Sequence, residues 1–208
     1  RVARRLFGFA FRRAWFTPLA IIGLFVIHWG VVTAYLPQRA EAAGADIGLF
    51  FAADGLLVLL TRMPAGWLAD RAPSSWQIIC GLVVTLIGIA LVLPPPTTPI
   101  LILSGALTGA GAALIIVPIN LAMTSRSNDA DRGSAFALFS ASFAAAIALG
   151  SIGTAPLIDV VGYETLLTAS LLALVVAVVI TLMDRDLAAV PSRRVQAEES
   201  VAATPAAG

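Results

Sequence analysis

Six apolar stretches, separated by short polar or proline-rich intervals, order this chain: 15–37, 47–66, 76–93, 99–123, 134–157 and 163–183. Each approaches or exceeds the roughly 20 apolar residues that an α-helix needs to cross a bilayer. The pattern predicts an all-α membrane protein with six transmembrane helices. The intervals 38–46 (QRAEAAGAD) and 158–162 (IDVVG) fall on one side, and 67–75 and 124–133 on the other. The interval 94–98 (PPPTT) carries no charge. Its three prolines end one helix, and Pro99 opens the next.

Composition agrees with the pattern. The chain is 59% hydrophobic, with a mean hydropathy of +0.95, outside the range of an ordinary soluble domain. There is no Lys, so all thirteen basic residues are Arg. Six crossings put both termini on one face, and twelve of the thirteen Arg then share it; only Arg39 lies opposite. The positive-inside rule makes that face cytoplasmic. This divides the chain into a basic cytoplasmic linker (1–13), a six-helix bundle (14–184) and a disordered cytoplasmic tail (185–208) rich in Ala, Pro, Ser and Glu. The first residue is Arg, and the linker reads as a join to an upstream segment of a longer protein. A net charge of +1 implies no nucleic-acid partner. With one Cys (Cys80) and one His, no cofactor is expected: zinc, haem and diiron sites lack their ligands.

The helices differ in kind. The third and sixth are rich in Leu, Val and Ile and suit lipid. The fifth is mostly Ala, Ser and Gly, residues that let helix backbones approach. The fourth carries Gly105-x-x-x-Gly109-x-Gly111 and then Pro118. In each group of three, the third helix is lipid-like and the second carries the unusual residues, which suggests a 3+3 repeat.

After the second helix the chain reads Arg62-Met-Pro-Ala-Gly66-Trp-Leu-Ala-Asp70-Arg71. This resembles the R-x-x-x-G-x-L-A-D-R signature of the major facilitator superfamily. Tyr35-Leu-Pro37, Arg132-Gly133-x-Ala135 and Gly162-Tyr163 fit the same resemblance, which spans about 14–183. It implies a secondary transporter of small molecules working by alternating access, and a chain forming the C-terminal six-helix half. The implied partners are the N-terminal half or a second copy, a small-molecule substrate and the lipid bilayer. The implied setting is a bacterial inner membrane, with proton coupling and efflux of drugs or metabolites. Arg62, Gly66, Asp70 and Arg71 would then form a conformational latch. Gly66 would allow close helix approach, and the Asp70 carboxylate would meet the positive N-terminus of the fifth helix. The pattern departs after Arg71: Ala72-Pro-Ser-Ser-Trp76 replaces the family's second basic cluster, which weakens the expected latch.

Two ionisable residues lie deep in apolar helices. His28 is nine residues before Pro37, and Asp54 eight after Asp46. At 1.5 Å per residue both sit roughly 12–14 Å below the outer surface, near the midplane of a ~30 Å core. An ionisable group there is a functional candidate, and either can carry a coupling proton. The alternatives are a structural acid bonded to a neighbouring helix, and an imidazole satisfied by a hydroxyl or carbonyl. Tyr35 shares a helical face with His28, and Thr108 adds polarity to the fourth helix, so both join the candidates for coupling or substrate contact. A half-size homodimer or structural subunit without transport activity is the competing function. An intramembrane protease lacks a G-x-S-G-like turn, and the chain is expected not to be an enzyme.

Overall fold

The computed structural model describes residues 13–125, 127, 132–184 and 187. Residues 1–12 and 188–208, which hold most of the linker and tail read from sequence, lie outside these. The described residues form six helices: α1 Arg13–Ala42, α2 Ile47–Ala69, α3 Ser74–Ala90, α4 Thr98–Ser125, α5 Arg132–Ser151 and α6 Ala155–Met183. Five are long and apolar enough to cross a membrane. The exception is α3, whose 17 residues reach roughly 26 Å at 1.5 Å per residue. Its apolar stretch runs on to Leu93, but in turns, because three prolines follow and supply no backbone donors.

Other boundaries also differ from the hydropathy reading. α1 continues through Pro37 for another turn and stops at Gly44, whose φ of 65° is left-handed. The Ala45 N–H closes that end on the Ala40 carbonyl at 2.9 Å. α2 runs three residues past 66, so Gly66-Trp-Leu-Ala is helical and Asp70 is its C-cap. α5 ends at Ser151 rather than 157. A turn at 152–154 follows, and 155–161 already belongs to α6, which bends at Gly162 (φ 76°, ψ 164°). Hydropathy misses this turn because Ile152, Gly153 and Thr154 interrupt the helix without a charge.

The packing falls into two groups. α2 and α3 both lie against α4, while α5 and α6 both lie against α1; α3 meets α6 and joins them. Glycines set the closest approaches. A Cβ on Gly105 would overlap the Phe50 carbonyl, and one on Gly109 the Asp54 carbonyl, so α2 and α4 touch backbone to backbone. Gly30 and Gly150 play the same part between α1 and α5. Gly81 and Gly111 bring α3 onto α4. One apolar core joins Trp15, Ile22, Ile78, Leu82, Ile115 and Ile119, and a second joins Leu36, Phe50, Ile89, Leu101 and Leu167. The most apolar window of α1 is 56% buried, against 11% for α2 and 17% for α5. Of the five long helices α1 is therefore the most buried, and α2 and α5 are the most exposed.

The Arg39 end is tied together by polar contacts. The Arg39 guanidinium donates to the Leu93 carbonyl at 2.6 Å, pairs with Glu164 at 3.1 Å and lies 5.0 Å from the centre of the Tyr163 ring. One side chain thus links α1, the turns after α3 and the bend of α6.

Candidate functional site

Asp54, His28 and Thr108 come from three helices and line one cavity of about 150 Å³. α1 also contributes Phe25 and Trp29, α2 Val58, α4 Ile116 and α5 Phe143. These four helices pair through the α2–α4 and α1–α5 glycine seams, so backbone contact between α2 and α4 fixes where the carboxylate sits. Gly109 lies against the Asp54 backbone one turn helix-wise from Gly105, and Thr108, the residue before Gly109, faces the Asp54 side chain.

The Thr108 hydroxyl donates to Asp54 Oδ1 at 3.0 Å. It lies at the same distance from the carbonyls of Ser104 and Gly105 on its own helix. A hydroxyl has one proton and two lone pairs. With Asp54 ionised, the proton points at the carboxylate. With Asp54 protonated, the carboxylic acid can donate to Thr108, whose own proton turns to a helix carbonyl. A proton can therefore enter or leave Asp54 without leaving a buried polar atom stranded. Asp54 is itself 8% exposed.

His28 is fully buried. Its Nδ1 is bonded to the Phe25 carbonyl three residues earlier. A carbonyl only accepts, so Nδ1 carries the hydrogen, and in the neutral ring Nε2 is an acceptor. That Nε2 is buried without a partner among the described residues. A buried unpaired acceptor costs roughly 1–3 kcal/mol, so the position is held against a penalty. The ring packs edge-on to Phe25 at 4.9 Å. Trp29 is fixed by Phe50 and Phe51, at 6.4 and 6.2 Å between ring centres.

Of the four candidates for coupling or substrate contact, Tyr35 lies elsewhere. Its hydroxyl donates to the Ser151 carbonyl at 2.9 Å and accepts from Thr154 at 3.2 Å, pinning the end of α5. Phe25, Trp29 and Phe143 were not singled out from sequence. The available signals were weak: Trp29 adjoins His28, and Phe143 is a large ring among the small residues of α5.

The Arg62–Arg71 segment is arranged differently from the expectation. A Cβ on Gly66 would meet nothing within 4 Å, so this glycine brings no helix close. It lines instead a cleft of about 350 Å³ with Asp70, Asn120 and Thr124, between the ends of α2 and α4. The Asp70 backbone N–H caps α2 on the Gly66 carbonyl at 3.2 Å. Among the described residues its carboxylate makes no hydrogen bond or ion pair and does not cap α5. Arg71 lies 4.0 Å from the centre of the Trp67 ring and reaches the Trp67 carbonyl at 3.4 Å, while Arg62 is exposed.

The family model described as Major Facilitator Superfamily matches residues 14–206. Among solved structures, the fold is similar to that of a peptide transporter, POT, in complex with sulfate. The TM-score is 0.70 at 19% identity, over 85% of this chain and 38% of that one. A variant of that transporter in complex with alafosfalin gives a TM-score of 0.58 at 20% identity, over 89% of this chain and 39% of that one. The chain thus spans about two fifths of the length of these transporters.

Proposed function

The chain belongs to the Major Facilitator Superfamily and is an integral, multi-pass membrane protein, and from that premise we propose that it is one six-helix half of a proton-coupled carrier of small molecules. The single observation that supports this most is the convergence of Asp54, His28 and Thr108 on one cavity. Intramembrane ionisable groups facing a cavity mark proton or substrate pathways. The Asp54–Thr108 pair supplies a proton site that stays hydrogen-bonded in both states.

The packing supports a 3+3 repeat. Exchanging α1, α2 and α3 for α4, α5 and α6 turns the α2–α4 contact into α5–α1, and α3–α4 into α6–α1. Both members of each pair are main contacts of the bundle. On this reading both termini are cytoplasmic, as the Arg distribution expects, and the membrane is the inner membrane of a bacterium. α2 and α5 are equivalent in the repeat and are the most exposed of the long helices. Ala137, Ala141, Ala144 and Ala148 recur on the exposed face of α5, where another helix can come close. A second six-helix bundle, supplied by the other half of the carrier or by another copy, would close the cavity there. The two bundles would rock around it.

The test uses the complete polypeptide containing this chain, reconstituted into vesicles that report internal pH. A panel of neutral, anionic and cationic small molecules is applied across a pH gradient. At least one should move protons, and Asp54→Asn should abolish that signal. Undiminished proton movement in the variant would end the coupling role of Asp54; no response across the panel would end the transport reading.

A further inference from the structure

We infer that the cavity between α1, α2, α4 and α5 takes the head group of a primary or secondary ammonium ion attached to a flat apolar body. This rests on the carrier reading above and names the substrate class of the same site.

The argument begins with the polar atoms that the protein leaves over. Thr108 engages one Asp54 oxygen. The other has no partner among the described residues. His28 commits its only ring hydrogen to the Phe25 carbonyl, so its unpaired Nε2 is an acceptor. Both leftover groups accept and neither donates, but the His28 Nε2 has no accessible surface, so the Asp54 oxygen is the one a ligand can reach. A ligand that satisfies it must bring hydrogens, and the carboxylate asks for positive charge. Among the described residues no Arg lines the cavity, so none of them competes for the carboxylate or repels a cation.

The walls give the rest of the ligand. Phe25, Trp29, Phe143 and Ile116 surround the polar end. Aromatic faces hold a cation by its charge and an apolar body by dispersion. The cavity's 150 Å³ is about half the lower limit of a drug-sized pocket, roughly 300 Å³. It therefore accommodates the head of such a ligand rather than all of it.

Aromatic walls alone would also suit a quaternary ammonium, which has charge but no N–H. The carboxylate acceptor decides between the two. Cation–π attraction is shared by both ions, whereas only the protonated amine donates to the free Asp54 oxygen. Hydrogen bonds to a charged group are worth about 1.5–3 kcal/mol, and roughly 1.4 kcal/mol is a tenfold change in affinity. The amine should bind at least about tenfold tighter.

The experiment measures calorimetric binding to the complete protein in detergent with three probes: 2-phenylethylamine, its N,N,N-trimethyl derivative and 2-phenylethanol. The primary amine should bind at least tenfold tighter than either analogue. Asp54→Asn should erase its advantage over the alcohol. Equal binding of the trimethyl derivative, or an amine preference that survives Asp54→Asn, overturns the inference, as does failure of the amine to bind. The probe series is run on the unmodified protein, so it decides even if the variant misfolds. If neutral or anionic molecules move protons in the vesicle assay while the amine fails to bind, the substrate class is wrong and the carrier reading stands. If the amine binds but nothing moves protons, the class holds and the carrier reading falls.

Discussion

Thr108 and Asp54 meet across the seam of α4 and α2, with 3.0 Å between the hydroxyl and Oδ1. Both residues are buried, at 2% and 8% exposure, so little water replaces the bond if it is removed. Thr108→Val keeps the shape and deletes the donor. The expected loss is roughly 1.5–3 kcal/mol with Asp54 ionised, while Thr108→Ser retains the bond and most of the stability. A double-mutant cycle with Asp54→Asn, read by thermal unfolding in detergent, isolates the pair. Coupling of about 0.5–3 kcal/mol is expected of residues in direct contact; strict additivity would mean that the two do not interact.

The same seam makes a prediction about glycines. Gly105→Ala and Gly109→Ala push a methyl into the carbonyls of Phe50 and Asp54. Those are helix backbones, which cannot swing aside as a side chain does. Each substitution should cost at least the ~1–3 kcal/mol of ordinary overpacking and move Asp54 relative to His28. Gly23→Ala and Gly55→Ala are the controls, because a methyl there meets nothing within 4 Å. They should be neutral or stabilising by up to about 1 kcal/mol, since alanine loses less backbone entropy in a helix. Equal unfolding temperatures for the two pairs would refute backbone contact along this seam.

The sequence made the helices legible because hydropathy reports directly on the bilayer. It also let comparable depths be expected for His28 and Asp54, since rise per residue is fixed. Convergence on one cavity was not legible, because depth gives no azimuth: two residues at equal depth can face opposite sides of the bundle. Azimuth is set by the α2–α4 and α1–α5 seams, and these depend on which glycines meet. The GxxxG of α4 is visible in sequence, but its partner surface at Phe50 and Asp54 contains no small-residue signal. Tyr35 shows the reverse case. Its helical face agrees with that of His28, but seven residues carry it roughly 10 Å along the axis, beyond the cavity. The Arg62–Arg71 signature falls at the end of α2, helical through Ala69, rather than in the loop, and a Cβ on Gly66 meets nothing within 4 Å there.

At the other end of the bundle, the contacts of Arg39 are unequal. Glu164 is 71% exposed, so its ion pair is screened by water and worth about 0–1 kcal/mol. The Leu93 carbonyl lies in the turns after α3, where the prolines that follow supply no hydrogens, and Arg39 donates to it at 2.6 Å. Glu164→Gln should therefore change the unfolding temperature little. Arg39→Met, which keeps the apolar stem, should destabilise more, because it strips the donor from that carbonyl and the cation from the Tyr163 ring. Raising the salt concentration separates the two parts: the small Glu164 contribution should vanish, and the larger Arg39 effect should persist. Equal effects of both substitutions would place the stabilisation in the ion pair.

Gly162 joins this cluster to the turn after α5, and its backbone decides whether α6 can bend there. Its φ of 76° and ψ of 164° lie in a region that is essentially closed to residues with a Cβ. Gly44, at φ 65°, ends α1 in the left-handed helical region, which asparagine also enters. The two glycines should therefore respond differently to the same replacement. Gly44→Asn should be nearly neutral. Gly162→Asn and Gly162→Ala should each cost about 1–3 kcal/mol, although a methyl at Gly162 meets nothing within 4 Å and no packing is lost. Because Tyr163 and Glu164 follow directly, relief of that strain would straighten α6 and carry both away from Arg39. Combining Gly162→Ala with Arg39→Met should then cost less than the sum of the two, since the first has already loosened what the second removes. An additive result would show that the bend and the Arg39 cluster are independent.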